Sequence, residues 1–230
     1  MNYVGSELEL FRHAVRWKKY WASQVVQYVN GRILDAGCGI GANADHLWSE
    51  RAISYTFLEP DEQLLAQVPK NVGEPVRSHA ELIVGTTTDL HGRAFDSILY
   101  IDVLEHLSDP KEELQRALEL LAPKGHLIIL VPAFQFLYSP FDKAIGHHRR
   151  YDRPSLHAHL PSGATIVKER YLDSVGMLLS LGNKLLLRSA APTIAQIQFW
   201  DSRVVPLSRF FDPLIRHAFG RSLVVVLRKD

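Results

Sequence analysis

The chain has 230 residues, is 47% hydrophobic and has a formal net charge of +1, which is enough for one domain and gives no charge excess that would attract nucleic acid. Its single cysteine, Cys38, excludes an internal disulfide and a cysteine zinc cluster. The charged N-terminus is unlike a signal peptide, and no apolar run reaches the roughly 18 residues of a spanning helix. We therefore expect a cytoplasmic protein without a transmembrane segment, a monomer or homodimer, with a small-molecule acceptor and no nucleic-acid partner.

The first half of the chain alternates between helical and extended patterns. Apolar residues at helical spacing predict one or two helices over residues 6–29, within an N-terminal helical segment 1–30. Four strands are predicted at GRILDAG, SYTFLEP, AELIVGT and FDSILYID. Helices are predicted at NADHLWSE, DEQLLAQV and residues 110–121, and Pro123–Gly125 has the composition of a turn.

The second half adds a fifth strand, HLIILVPAF, whose continuous apolar run is typical of buried parallel strands. A polar and aromatic insertion at 134–153 follows it. The last two strands, GATIVKERYL and SLVVVLRK, flank helices at 174–190 and 193–217. This alternation predicts an α/β fold in a single domain, 1–230, with a doubly wound, mostly parallel seven-stranded sheet and helices on both faces.

Three glycines in ILDAGCGIGA follow the first strand, where ligands bind in such sheets. Gly37 and Gly39 fit a loose dinucleotide pattern, which alone is a weak signal. A carboxylate at Asp35 would repel a pyrophosphate and would favour the positive charges of a sulfonium methyl donor. Glu59, at the end of the second strand, can accept both hydroxyls of a ribose, which both kinds of cofactor contain. A nicotinamide-dependent oxidoreductase therefore stays open as the alternative.

Four successive motifs resemble those of the class I S-adenosylmethionine-dependent methyltransferases: ILDAGCGIGANADHL, FLEP, FDSILYIDVLEHLSDP and LAPKGHLIILVP. They cover about residues 30–132. The resemblance implies a Rossmann-like methyltransferase fold with S-adenosyl-L-methionine as the cofactor. It implies that Asp35 and the backbone of Gly37 and Gly39 hold the methionine part and that Glu59 binds the ribose.

The resemblance also places further cofactor contacts at Pro60, Thr87, Tyr100 and Ile101. In many relatives an acidic residue after the third strand contacts the adenine, whereas Thr86 stands at that place in GTTTDL. Backbone groups at 86–88 are expected to replace it. This departure keeps open a protein that binds the cofactor without catalysing transfer.

The insertion 134–153 lies where the acceptor is expected, and its cations and aromatic rings suit an anionic or sugar-linked metabolite. We predict methyl transfer to oxygen or nitrogen of such a molecule, and no metal site. The candidate substrate-binding residues are Tyr138, Arg149, Arg150 and Tyr151, and the candidate catalytic bases are His106, His147 and His148. The alternative is a solvated loop whose arginines pair with neighbours such as Asp142 or Asp152.

The C-terminal stretch QFWDSRVVPLSRFFDPLIRHAFG mixes apolar residues with arginine and histidine. Its composition is compatible with a packed amphipathic helix, a lid, a dimer face or a contact with a membrane surface.

Overall fold

The computed structural model describes residues 7–182 and 192–230, which form a seven-stranded sheet with helices on both faces. The strands run in the order β3-β2-β1-β4-β5-β7-β6, and β7 is antiparallel to both of its neighbours while the other pairs are parallel. All seven predicted strands are present, and the mostly parallel, doubly wound sheet is confirmed. The strands are β1 (Gly31–Ala36), β2 (Ala52–Glu59), β3 (Ala80–Val84), β4 (Phe95–Ile101), β5 (Leu121–Pro132), β6 (Ala164–Leu172) and β7 (Ser222–Lys229).

Helices connect these strands and follow the predicted segments in most places. Residues 1–6 of the N-terminal helical segment and 183–190 of the helix predicted at 174–190 lie outside the described residues. The helices are α1 (Glu7–Phe11), α2 (Val15–Val25), α3 (Glu62–Leu65), α4 (Val68–Asn71), α5 (Glu74–Arg77), α6 (Pro110–Leu120), α7 (Pro140–Ala144), α8 (Arg153–His157), α9 (Ser174–Gly182), α10 (Ile194–Phe199) and α11 (Val205–Leu214), with a π-helical turn at Trp200–Val204 before α11.

The prediction of a helix at NADHLWSE is wrong, because only a 3-10 turn, Ala44–His46, forms there. The Asp45 carboxylate accepts a hydrogen bond of 2.9 Å from the Gly73 N–H, ahead of α5. Leu47 is fully buried and the Trp48 ring packs against His79. These contacts with distant residues hold the segment in an irregular path and override its helical pattern.

The turn predicted at Pro123–Gly125 lies inside β5, as an irregularity in its pairing with β4. Lys124 adopts a left-handed backbone conformation with φ of +64°, which the turn composition favoured. Leu121 pairs with Phe95 and the next pair is His126 with Ser97, so the chain turns between these two pairs before the strand continues.

Two hydrophobic cores lie on opposite faces of the sheet, because successive residues of a strand point to opposite sides. On β4, Leu99 enters one core and Ile98 the other. Trp21 of α2 is buried in the first core and Leu114 of α6 in the second. Since β1, β2, β4 and β5 are parallel, their C-terminal ends meet at one edge of the sheet, where the glycine turn and the insertion lie.

Candidate functional site

The glycine turn after β1 has a backbone that only glycine adopts easily. Gly37, Gly39 and Gly41 have φ of 69°, 55° and 76°. A Cβ atom on Gly37 would lie 2.9 Å from Cγ2 of Val103, and one on Gly39 would lie 3.3 Å from Cδ1 of Leu8 in α1. The N-terminal helix therefore covers this turn, as the closely packed wall of a small-molecule site does.

Two buried carboxylates flank the glycine turn. Asp35 is 2% exposed and accepts a hydrogen bond of 2.9 Å from the Tyr55 hydroxyl. Glu59 accepts from the Gly39 N–H at 2.9 Å and from the Asp61 N–H at 3.1 Å. Burial raises the pKa of Asp35 to about 7 and raises that of Glu59. Among the described residues, no basic side chain lies within salt-bridge distance of either group.

These carboxylates fit a cofactor that carries positive charge and a ribose, and they do not fit a pyrophosphate. A dinucleotide also needs the N-terminus of a helix after the glycine turn, to provide N–H groups and a favourable dipole. The three-residue turn Ala44–His46 takes the place of that helix. Cys38 is buried and burial raises the pKa of its thiol, which is typical of a packing residue.

The other predicted cofactor residues occupy less direct positions. The hydroxyls of Tyr100 and Thr87 both donate to Glu113 on α6, at 2.6 and 3.0 Å from its Oε1 atom. Neither hydroxyl is therefore free to donate a hydrogen bond to a cofactor. Pro60 directly follows Glu59, and Ile101 is buried at the end of β4.

The insertion 134–153 is folded against the segment that follows β4. The His148 N–H donates to the carbonyl of Glu105 at 2.8 Å, and the hydroxyl of Tyr151 donates to the carbonyl of Leu104 at 3.1 Å. Tyr151 is buried. The insertion therefore fixes the segment after β4 in place, and Tyr151 acts as a support rather than as a side chain facing an acceptor.

A buried carboxylate, Asp142, organises the insertion. It accepts hydrogen bonds from His147 Nδ1 at 3.0 Å, from Arg150 Nε at 2.9 Å and from the Ser139 hydroxyl at 2.7 Å. Although burial alone would raise its pKa, the His147 hydrogen bond and the Arg150 charge hold the pKa of Asp142 well below its usual range. The arginine pairing expected of a solvated loop is thus present, but it is buried.

Two of the three candidate bases lie together beside a second buried carboxylate. The rings of His106 and His147 meet edge to face with centroids 4.6 Å apart, and Nε2 of His147 lies 3.8 Å from Oε1 of Glu105. Glu105 is fully buried, and neither of its side-chain oxygens has a hydrogen-bond partner among the described residues. His148 is exposed.

Burial sets the protonation of this group. It raises the pKa of Glu105 well above its ordinary value and lowers that of His106 to about 4, so His106 is neutral near pH 7. The possible ligand atoms of Glu105, His106 and His147 all lie within 4.8 Å of one another, a spacing that would also accommodate a metal ion. Such a group was not predicted from the sequence.

Asp102 lies between the glycine turn and the insertion. Its backbone has a φ of +56°, which is strained for a residue other than glycine. Its side chain is exposed to solvent. Desolvation by the surrounding protein raises the pKa of Asp102 to about 6, whereas the charges of His147 and Arg221 lower it.

The arginines of the insertion are not equally available to an acceptor. Arg150 is committed to Asp142, so it is a poor candidate for the predicted anion contact. Arg149 donates to the carbonyl of Ser108 at 3.3 Å, and no carboxylate of the described residues lies within salt-bridge distance of it. The Tyr138 hydroxyl donates to the His147 carbonyl at 2.7 Å, which places that group in the support of the loop.

Comparisons with known proteins agree with this geometry. A family described as "Methyltransferase domain" matches residues 11–169. The chain is 30% identical over 120 residues to a tRNA U34 carboxymethyltransferase from Pseudoalteromonas atlantica, covering 49% of this chain and 37% of that protein. It is 24% identical over 138 residues to a ubiquinone biosynthesis O-methyltransferase from Idiomarina loihiensis, covering 54% of this chain and 56% of that one.

Among solved structures, the N-methyltransferase NodS from Bradyrhizobium japonicum, crystallised with S-adenosyl-L-homocysteine, superimposes with a TM-score of 0.54 at 13% identity. The match covers 95% of this chain and 85% of that chain, and at this identity it supports the fold alone. The chain spans about half or less of the length of the curated relatives it matches. Among the described residues, no helix has the length and apolar composition needed to cross a membrane.

Proposed function

The chain belongs to the methyltransferase domain family, whose cofactor is S-adenosylmethionine, and on this premise we propose that it methylates a hydroxyl oxygen of a small metabolite. The observation that carries the proposal is the Arg150–Asp142–His147 network within the insertion. A hydroxyl needs a base when it attacks a methyl group, and this network holds one imidazole in a fixed orientation. Localisation in the cytoplasm is part of the proposal.

The hydrogen bond to Asp142 uses Nδ1 of His147 and leaves Nε2 to take a proton. Bound S-adenosylmethionine supplies an electrophilic methyl group. As the acceptor oxygen bonded to the methyl carbon, the carbon–sulfur bond would break and S-adenosylhomocysteine would leave with the electron pair of that bond. The proton of the acceptor hydroxyl would pass to Nε2 of His147, and the nearby Asp142 carboxylate would stabilise the resulting imidazolium. A base in this position contributes on the order of 10²–10⁴-fold to the rate.

Two further observations support the choice of acceptor. Arg149 of the insertion has no carboxylate within salt-bridge distance among the described residues, which suits an acceptor with an acidic or phosphorylated group. One of the curated relatives bears the name of an O-methyltransferase of a small molecule. Another is named for its action on tRNA, so a tRNA acceptor is the alternative that the experiment must separate.

The test is a labelling experiment with S-adenosylmethionine that carries an isotopic methyl group. An extract of the producing cells is separated into small metabolites, tRNA and protein, and each fraction is incubated with the chain. We expect label in the small-metabolite fraction, and an O-methyl group in the isolated product. The variant His147→Asn should lose this labelling while the neighbouring His148→Asn keeps it.

Label in tRNA or protein would contradict the choice of acceptor. Binding of S-adenosylhomocysteine without label in any fraction would instead identify a protein that holds the cofactor and does not catalyse transfer.

A further inference from the structure

Helix α11 presents its large apolar side chains other than Val205 to solvent, whereas its Ser208 and Asp212 side chains face the protein. Ser208 and Asp212 are fully buried. A surface helix of a globular protein ordinarily has the opposite arrangement. The exposed side chains share the spacing of one helix face and are Leu207, Phe210, Phe211 and Leu214.

Hydrogen bonds fix this orientation. The Asp212 carboxylate accepts from the Tyr20 hydroxyl at 2.7 Å and from the N–H groups of Asp173 and Ser174 at 2.8 and 3.0 Å. The Ser208 hydroxyl donates to Asp173 at 2.6 Å. Rotating the helix to bury its phenylalanines would leave these polar groups without hydrogen-bond partners, which would destabilise the folded protein.

The exposed apolar residues of α11 extend onto neighbouring helices. Leu178 and Leu179 of α9, which packs against α11, are exposed, as are Ile194 and Phe199 of α10. We call the exposed apolar side chains of these three helices the apolar face. It contains more than half of the large apolar side chains that are exposed in the described part of the chain. A patch of this kind marks an interaction surface.

The exposed charged side chains of the segment that carries α10 and α11 all have the same sign. Between residues 192 and 220 the exposed charged side chains are Arg203, Arg209 and Arg216. The carboxylates of this stretch, Asp201 and Asp212, are buried and bonded to protein groups. A symmetric contact with a second copy would bring these arginines together, whereas an anionic surface complements them.

A cavity of about 510 Å³ adjoins the apolar face and strengthens this assignment. Arg170, Arg209, Arg216 and His217 contribute to its lining, and it shares no residue with the glycine turn or the insertion. The one acidic residue in the lining, Glu169, is already paired with Arg153 and His157. No carboxylate of the described residues lies within salt-bridge distance of the three lining arginines. Clustered guanidinium groups of this kind recognise phosphate.

We propose that the apolar face docks on an anionic membrane surface and that the arginine-lined cavity takes the phosphate of a lipid headgroup. The contact combines apolar burial in the interfacial region with electrostatic attraction, the two forces that hold interfacial helices. It needs no spanning helix and does not depend on which acceptor is methylated.

The test is co-sedimentation of the chain with vesicles of phosphatidylglycerol and phosphatidylcholine, compared with vesicles of phosphatidylcholine alone. We expect binding to the anionic vesicles that weakens with added salt. The variant Phe210→Gln/Phe211→Gln should bind roughly tenfold or more weakly, because it removes two exposed phenyl rings. Arg209→Gln/Arg216→Gln should lose about fivefold per arginine, since a cation near an anionic surface contributes roughly 1 kcal/mol.

Matched controls lie far from the apolar face. Ile53→Gln/Val84→Gln removes two exposed apolar side chains near the β3 edge of the sheet, and Lys70→Gln/Lys111→Gln removes two exposed cations elsewhere. Both controls should bind vesicles like the original chain. Thermal stabilisation by S-adenosylhomocysteine confirms that every variant is folded.

Three outcomes would overturn the proposal. Equal binding to neutral and anionic vesicles would show that the headgroup charge does not contribute to binding. If inorganic phosphate protected Arg209 and Arg216 from chemical modification and the chain did not bind vesicles, the cavity would be a site for a soluble phosphate compound. A concentration-dependent dimer that the phenylalanine variant dissociates, again without vesicle binding, would identify the apolar face as a contact between copies.

Discussion

The predicted cofactor half of the site, around the glycine turn, and its predicted acceptor half, the insertion, both contain buried carboxylates but hold them differently. Among the described residues, Asp35 and Glu59 bond only to neutral donors, such as the Tyr55 hydroxyl and the Gly39 N–H. Asp142 is bonded to an arginine and a histidine. A carboxylate held by neutral donors keeps its attraction for a cationic ligand, whereas one that is paired with arginine serves to position its neighbours.

The largest effect is expected from removing the imidazole of His147, which the acceptor half holds in place. Replacing His147 with Asn should lower kcat by about 10²–10⁴-fold, because it removes the base but retains a polar side chain. Affinity for S-adenosylhomocysteine should not change. Steady-state kinetics with the acceptor found by labelling, together with calorimetric titration of the cofactor product, measures both. A kcat within a few fold of the original would exclude His147 as the base.

Removing the positioning carboxylate should lower stability as well as turnover, because Asp142 both orients His147 and pairs with Arg150. Asp142→Asn leaves Arg150 without its partner in a mostly buried position, and the loss of one member of such a pair costs about 3–5 kcal/mol. Urea unfolding measures this change in the free energy of unfolding. The control Asp152→Asn should be nearly neutral, because Asp152 caps α8 and Asn is an equally good cap. An Asp142 variant as stable as this control would show that the pair adds no stability.

In the cofactor half, truncation of a carboxylate should weaken binding with little effect on the fold. Glu59→Ala should reduce the affinity for S-adenosylhomocysteine roughly ten- to hundredfold, because hydrogen bonds to a charged group contribute about 1.5–3 kcal/mol. Isothermal titration gives the affinity directly. Glu81→Ala, which removes an exposed carboxylate from β3, is the control. Unchanged affinity in the Glu59 variant would refute the predicted ribose contact.

The smallest expected effect is a pH dependence that only the cofactor half should show. Because burial raises the pKa of Asp35 to about 7, the affinity for S-adenosylmethionine should rise severalfold between about pH 6 and pH 8, as the carboxyl ionises. Titrations across this range should give a flat profile for Asp35→Asn. A slope that persists in the variant would assign the titration to another group.

The same raised pKa has a consequence for folding. The unfolded chain releases the Asp35 proton near the ordinary value of 3.8, so the stability of the cofactor-free protein should fall as the pH rises from there to about 7 and then level off.

The sheet could be predicted from the sequence because its strands are local patterns, such as the continuous apolar run of β5. The irregular path after the glycine turn could not, since it depends on the contact of Asp45 with Gly73, 28 residues further along the chain. The same limit applies to helix α11. Its apolar stripe is visible in the sequence, but only the hydrogen bonds of Asp212 determine that this stripe faces solvent.

In the site, Asp35, Gly37 and Glu59 could be proposed because their types and spacing match the needs of one cofactor, although their contacts with it stay predictions. In the acceptor half, the sequence placed the histidines and arginines together but could not distinguish their partners. Three-dimensional packing determines that His147 and Arg150 both bond to Asp142. It also determines that the side-chain oxygens of Glu105 have no hydrogen-bond partner among the described residues. In the sequence, Asp142 could be named only as one possible partner of the arginines in a solvated loop.

The position of β7 has a consequence for biosynthesis. This strand lies between β5 and β6 and carries fully buried valines, yet it is synthesised after every other strand. Until residues 222–229 have left the ribosome, β5 and β6 each present an unpaired edge, which is a template for aggregation. The nascent chain therefore cannot close its sheet during most of translation, and shielding by a chaperone or the ribosome surface would be needed longest at the edge of β5.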